Sequence, residues 1–391
     1  MIIIFWLSLF IVFYTFMGYG AFLYIIIKIK RYLKGRPAIV TPISDLLPYC
    51  TLVVAAYNEE LFIEGKIINS LQLKYPPGKL KLLFITDGST DKTAEIIGRY
   101  PQVQLLHRDG RAGKIAAVHR AMEYVDTEIV IFTDANTFLN PEAITRICRH
   151  YTDETVGAVA GEKRVQINEN ADASAAGEGF YWKYESTLKK WDSELYSVVG
   201  AAGELFSVRR SLYQDVPSDT VLDDFMISML IATKGYRIVY EPGAYAIETA
   251  SENVSEELKR KIRIAAGGMQ SILRLKSLFN PFKYPTLSFQ YISHRVLRWT
   301  VTPFLLLLVF ILNTLLAFEL GQTFYIAILF AEVLFYLLAV LGFIMEKRHI
   351  RIKALFIPYY FCVMNYAVLM GIIRYFTTKQ SAVWEKVQRK T

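Results

Sequence analysis

Apolar residues crowd both ends of this chain, and its middle alternates short apolar runs with polar, helix-like stretches. Residues 2–27 are almost uncharged and exceed the roughly 20 residues that span a bilayer. A basic cluster follows: Lys28, Lys30, Arg31, Lys34 and Arg36. A secretory signal would put its basic region first and close on a small-residue cleavage site. The pattern therefore predicts a retained transmembrane helix, N-terminus outside, with the next domain in the cytoplasm. Residues 38–48 read as a short linker.

Thr51 to Ala56 is continuously apolar, as a buried parallel strand is when both faces are covered. A helix is predicted over about 60–73, a strand over Lys81–Ile85, a helix over 91–99 and a short strand over Val103–Leu106. Helix Ile115–Val125 and strand Ile129–Phe132 follow. This alternation implies a parallel sheet with right-handed crossovers. Ligands of such sheets bind outside the carboxyl ends of the strands. From about 155 to 248 the pattern becomes mixed. Strands are read at Val156–Ala160, Leu205–Val208 and Tyr236–Tyr240, with helices at Ala175–Trp191 and Asp224–Lys234.

Residues 255–276 alternate basic and apolar positions at helical spacing, as interfacial helices do, and 286–300 look similar. Three apolar segments follow, at about 301–319, 322–345 and 355–377. The basic connection Glu346 to Lys353 belongs inside by the charge rule, as does the tail with Lys379, Lys386, Arg389 and Lys390. Four spans would leave that tail outside. Either the last segment, with Pro358 and Asn365, is re-entrant, or the tail breaks the rule. The expected division is an N-terminal transmembrane helix (1–28), a linker (29–48), an α/β domain (49–254), amphipathic interface helices (255–300), a C-terminal transmembrane region (301–378) and a basic tail (379–391).

Composition agrees with a part-soluble, part-membrane protein: 391 residues, 53% hydrophobic and 20% charged. The net charge of +8 sits partly beside apolar segments, which fits attraction to membrane lipids rather than nucleic acid. Cys50, Cys148 and Cys362 show no CxxC spacing, so neither a disulfide scaffold nor a zinc site is expected.

Candidate chemistry clusters after the predicted strands. Asp87 stands before Gly88, where a carboxylate can accept a base N–H; the same residues also make a plain turn. Asp134 and Asn136, two apart in an extended segment, face one side and suit a hard cation and diphosphate. A capped turn fits them equally. Asp223-Asp224 opens a predicted helix. Its macrodipole stabilises both acids, yet a paired carboxylate also gains a raised pKa and suits a general base. Gly203-Glu204 lies in a run of small residues with room for an acceptor. Lys114, Arg260 and Arg263 are candidate phosphate contacts, or simply solvated and interfacial cations.

The ordered set resembles the membrane-integrated family 2 glycosyltransferases. The matching residues are Val54-Ala55-Ala56-Tyr57-Asn58-Glu59, Thr86-Asp87-Gly88-Ser89-Thr90-Asp91, Gly110-Arg111-Ala112-Gly113-Lys114, Asp134-Ala135-Asn136, Gly200-Ala201-Ala202-Gly203-Glu204, Asp223-Asp224 and Arg260-Lys261-Ile262-Arg263-Ile264. The resemblance implies a GT-A, Rossmann-like nucleotide-diphospho-sugar transferase fold with α-helical transmembrane segments. It implies that Tyr57, Glu59 and Asp87 hold the nucleoside of a UDP-sugar. Lys114, Arg260 and Arg263 would bind the diphosphate, and Asp134 and Asn136 would meet Mg²⁺ or Mn²⁺. Asp224 would be the catalytic base, with Asp223, Gly203 and Glu204 bordering a lipid-linked or polysaccharide acceptor. The setting would be the bacterial cytoplasmic (inner) membrane, with the catalytic domain cytoplasmic and export or synthase subunits as partners. Two departures stand out. Asn136 replaces an acid, and Ile264 replaces the tryptophan of the processive synthases. The alternative reading is a catalytically idle membrane scaffold subunit that binds nucleotide sugar. A transporter is disfavoured, because few charges lie in the apolar segments and a transporter needs no large α/β domain.

Overall fold

The computed structural model describes residues 1–35, 46–166, 173–249, 254–348, 350 and 352–378. The basic tail with Lys379, Lys386, Arg389 and Lys390, and residues 36–45 of the predicted linker, lie outside these residues. The first helix is one unbroken rod, Ile2–Lys34. It consists of α1 (Ile2–Phe13), a π-helical turn (Tyr14–Gly18) and α2 (Tyr19–Lys34). It outruns the predicted 2–27 because its basic end finds partners. Arg31 Nη2 lies 2.7 Å from Glu194 Oε2, and Lys30 donates to the Glu194 carbonyl.

The central domain alternates strands and helices as the sequence pattern implies. In order come β1 (Cys50–Ala56), α3 (Ile63–Leu71), β2 (Leu80–Thr86), α4 (Thr93–Gly98), β3 (Gln104–Leu106), α5 (Lys114–Tyr124) and β4 (Ile129–Asp134). Then follow β5 (Thr137–Leu139), α6 (Ala143–Cys148), β6 (Val156–Gln166), α7 (Ala173–Leu195), β7 (Leu205–Arg209), α8 (Asp223–Thr233) and β8 (Arg237–Thr249). The strands form one sheet in the order β3-β2-β1-β4-β7-β6-β8-β5. The first four are parallel, and β7 then turns the sheet antiparallel against β4. Successive residues of β1 feed opposite cores. Val53 and Ala55 join one cluster, whereas Leu52, Val54 and Ala56 join the other. This two-sided burial is why the run is apolar without alternation.

Strand β5 follows directly on Asp134 and Asn136, where the sequence pattern predicts no strand. Three residues are too few for a visible alternation, and β5 exists by pairing with β8. Strands β6 and β8 run well past the predicted 156–160 and 236–240, because the two pair with each other through Glu248 and Thr249.

After β8 come α9 (Val254–Arg274), α10 (Pro285–Tyr291), a π-helical turn and α11 (Leu297–Trp299). The apolar helices α12 (Val301–Leu320), α13 (Thr323–Lys347) and α14 (Lys353–Thr377) complete the described chain. Among the described residues, four helices are long and apolar enough to cross a membrane. Phe5 of α1 packs in a cluster with Val309, Leu316 and Ala317 of α12 and Tyr325 of α13. Helix α14 is continuous through Pro358 and Asn365. Its start meets α13 at Gly342, and Gly371 abuts Ala265 of α9.

Candidate active site

The site lies at the carboxyl ends of β1, β2 and β4, where the parallel half of the sheet gives way to β7. β2 ends at Thr86, so Asp87 leaves the sheet just as the chain turns. Its Oδ2 accepts hydrogen bonds from the backbone N–H groups of Ala112 (2.8 Å) and Gly113 (2.6 Å). Its Oδ1 accepts none among the described residues and lies 3.8 Å from Arg120 Nη1. A buried carboxylate oxygen without a hydrogen bond is a standing acceptor for a ligand N–H. Gly88 has φ +71°, and a Cβ there would lie 2.7 Å from Arg111 Cβ, so glycine alone lets the two segments meet. The guanidinium of Arg111 stacks 3.9 Å above the Tyr57 ring. The Glu59 backbone N–H donates to Thr93 Oγ1 at 2.8 Å, and Asn58 Oδ1 accepts from the Thr90 N–H at 2.8 Å. Tyr57, Asp87, Arg111, Gly113 and Lys114 line one cleft.

Asp134 ends β4, in register with Ala55 of β1. Lys114, first residue of α5, places its Nζ 2.8 Å from Asp134 Oδ1. Asp134, Asp223 and Asp224 together raise the Lys114 pKa against the opposing effect of burial. A Cβ on Gly203 would lie 3.3 Å from Asp224 Oδ2 and 3.5 Å from Lys114 Nζ, so Gly203 keeps open the space between them. Burial, then Asp223 alongside, pushes the Asp224 carboxyl up to about 7, with Lys114 pulling the other way. One space thus gathers Lys114, Asp134, Gly203, Asp223 and Asp224.

Glu204 points into a second network. Lys163 Nζ lies 2.6 Å from its Oε1 and also pairs with Glu248. Lys163 holds the Glu204 carboxyl down at about 2 against the cost of burial. Arg260 lies 3.8 Å from Glu248 and 3.4 Å from Glu257. Arg260 therefore sits with Glu204, Lys163 and Glu248. Arg263, one helical turn on, is half-buried on α9.

A sequence model described as glycosyl transferase family 2 matches residues 51–216, the segment that builds this cleft. Those residues form a family 2 glycosyltransferase domain; they include Tyr57, Asp87, Lys114, Asp134 and Gly203 and end before Asp223 and Asp224. Among curated proteins, the poly-β-1,6-N-acetyl-D-glucosamine synthase of Staphylococcus aureus is 28% identical over 257 residues, 63% of this chain and 60% of that one. The synthase of Staphylococcus epidermidis is 24% identical over 262 residues, 65% of this chain and 62% of its own. The matches thus span about 60% of those relatives' length. Among solved structures, a mannosyltransferase from Pyrobaculum calidifontis in complex with GDP-Man and Mn²⁺ superposes with TM-score 0.71 at 23% identity, covering 96% of this chain and 99% of that one. The glycosyltransferase domain has the GT-A fold.

Among the described residues, no group of three or more His, Cys, Asp or Glu side chains converges to form a metal cage. Asn136 lies in the turn after β4 rather than in the extended segment expected, and Asp134 Oδ1 already meets Lys114, but a carboxylate and an amide oxygen are the donor types that a hard cation shared with substrate accepts. Mg²⁺ typically takes one or two carboxylates and completes its shell with phosphate oxygens and water.

Sequence reasoning passed over three charged residues of the domain. Lys163 lies in a strand, where inward and outward positions alternate and a buried lysine leaves no periodic mark. Glu248 lies in the unpredicted end of β8. Lys66 was legible. It falls with Ile63, Ile67 and Ser70 on the buried stripe of α3, where a lysine breaks the apolar pattern. Its ammonium is fully buried, and burial pulls its pKa down to about 7 while Asp134 opposes the fall.

Proposed function

We propose that the chain is an inverting glycosyltransferase, moving a sugar from a UDP-sugar to a lipid-linked or polysaccharide acceptor at the cytoplasmic face of the bacterial inner membrane. The observation that carries this reading is Asp224, a carboxyl raised to about 7 across the Gly203 gap from Lys114 and Asp134. A base of that pKa is half-ionised at neutral pH, where proton transfer is most effective. Asp224 takes the proton of an acceptor hydroxyl. The acceptor oxygen bonds to the anomeric carbon from the face opposite the diphosphate, and the bond from that carbon to the diphosphate oxygen breaks. UDP leaves with both electrons. Base catalysis of this kind contributes roughly 10²–10⁴-fold.

Tyr57, Glu59 and the open Oδ1 of Asp87 border the nucleoside. Lys114 lies beside Asp134 and meets the diphosphate when it arrives, joined by Arg260 and Arg263. Asp134 and Asn136 would hold Mg²⁺ or Mn²⁺, which neutralises charge on the departing diphosphate. Gly203, Glu204 and Asp223 border the acceptor. The names of the staphylococcal relatives make N-acetylglucosamine the first sugar to test.

The test is a panel of UDP-sugars given to detergent-solubilised protein with Mg²⁺ or Mn²⁺ and membrane lipid. UDP release and mass analysis of the lipid-phase product report turnover. One donor of the panel is expected to release UDP and yield a glycosylated product. UDP binding without turnover of any donor contradicts the reading and favours an idle scaffold.

A further inference from the structure

The Asp134–Asn136 turn rests on a buried lysine that belongs to neither substrate-facing group. Lys66 is 0% exposed. Its Nζ donates to the Thr137 carbonyl at 2.6 Å and to Thr133 Oγ1 at 3.1 Å, residues that bracket the turn on both sides. Thr137 Oγ1 donates back to the Asp134 carbonyl at 3.0 Å, closing the turn on itself. Thr133 Oγ1 also lies 2.9 Å from the Glu204 carbonyl, and Thr133 pairs with Leu205 across β4 and β7. One ammonium thus fastens the donor-side turn and the acceptor-side segment from beneath. A buried ammonium is costly, and an apolar side chain would complete the α3 stripe with Ile63 and Ile67 at no such cost. The hydrogen bonds give the charge its use.

We propose that Lys66 is a positioning residue for the cation–diphosphate end of the site, fixing the Asp134–Asn136 turn so that a divalent cation and a nucleoside diphosphate bind together. The turn offers one carboxylate and one neutral amide, so the alignment of these two oxygens matters more than in a site with two acids. Residues that orient metal ligands typically cost 10–100-fold in metal affinity when removed. This inference rests on the reading that UDP and a cation meet at Asp134.

The test is calorimetric titration of the full-length protein in detergent with UDP, once with Mn²⁺ and once with EDTA. Wild type is expected to bind UDP more tightly with Mn²⁺. Lys66→Met is expected to keep the metal-free affinity and to lose about 10–100-fold of the Mn²⁺-linked gain. Thr133→Val keeps the buried charge but removes one of its anchors, and is expected to fall in the same direction. It carries the test if Lys66→Met does not fold. A loss confined to the unfolding temperature, with the Mn²⁺-linked gain intact in a folded variant, overturns the role of Lys66. Absence of any Mn²⁺-linked gain in wild type overturns the underlying functional reading, and this proposal with it.

Discussion

Asp224 owes its poise to three neighbours of different kinds. Enclosure and Asp223 push its pKa up, and Lys114 limits the rise. Because the base works only when ionised, turnover is expected to fall about tenfold per pH unit below pH 7 and to level off above it, measured as UDP release under saturating donor. Glu204 shows the opposite environment. Lys163 holds it ionised, and that pairing stabilises the fold above the ordinary carboxyl pKa of 4.5 and is lost as pH falls toward about 2. Lys163→Met would remove the ammonium that pairs with both Glu204 and Glu248, leaving Arg260 beside them. It is expected to cost about 3 kcal/mol, read as a lower thermal midpoint at pH 7. At this scale the sequence showed the acids of the site and the cation Lys114, but not the ion pair of Lys163 with Glu204 and Glu248. Asp87 and Asp134 stand at strand ends just before turns, and Asp224 lies in the first turn of a helix, positions that leave a local signature. Lys163 and Glu248 meet across a long strand pairing that no local pattern encodes.

The elements were legible where periodicity is strong. The first four strands and the helices between them follow from alternating apolar runs, and each lies within a few residues of its predicted place. The short β5 and the long ends of β6 and β8 escaped, because they exist through mutual pairing. Helix α14 also escaped in one respect. A re-entrant segment holding Pro358 is one of two readings, and the helix runs on, packed first on α13 and then on α9. At its crossing with α9 a Cβ on Gly371 would lie 2.5 Å from Ala265 Cβ. Gly371→Leu is therefore expected to cost about 1–3 kcal/mol and to shift α9, which carries Arg260 and Arg263. The measurement is a paired one: thermal midpoint in detergent, and UDP affinity, both lowered.

On the scale of the molecule, the first helix joins the apolar bundle to the catalytic domain. Its first half packs with α12 and α13 through Phe5, and its second half lies against α7 through Tyr19 and Leu23. The junction is polar and buried. Asp192 accepts from Tyr19 and meets His294 Nδ1 at 2.5 Å, while Glu185 receives Arg295 at 2.8 Å and Arg298 at 2.9 Å. These groups come from three distant stretches of sequence, which is why no motif announced them. Glu185→Gln would remove the negative charge that faces half-buried Arg295 and buried Arg298. It is expected to cost about 3–5 kcal/mol, seen as loss of the folded protein on heating in detergent.

The central claim is that this domain moves a sugar with Asp224 as its base, and Asp224→Asn tests it most directly. UDP release and UDP affinity are measured side by side on the wild type and this variant, with the donor found in the panel. The account predicts that the variant binds UDP about as well as wild type and releases none from the donor. An Asp224→Asn protein that turns over at the wild-type rate would contradict it.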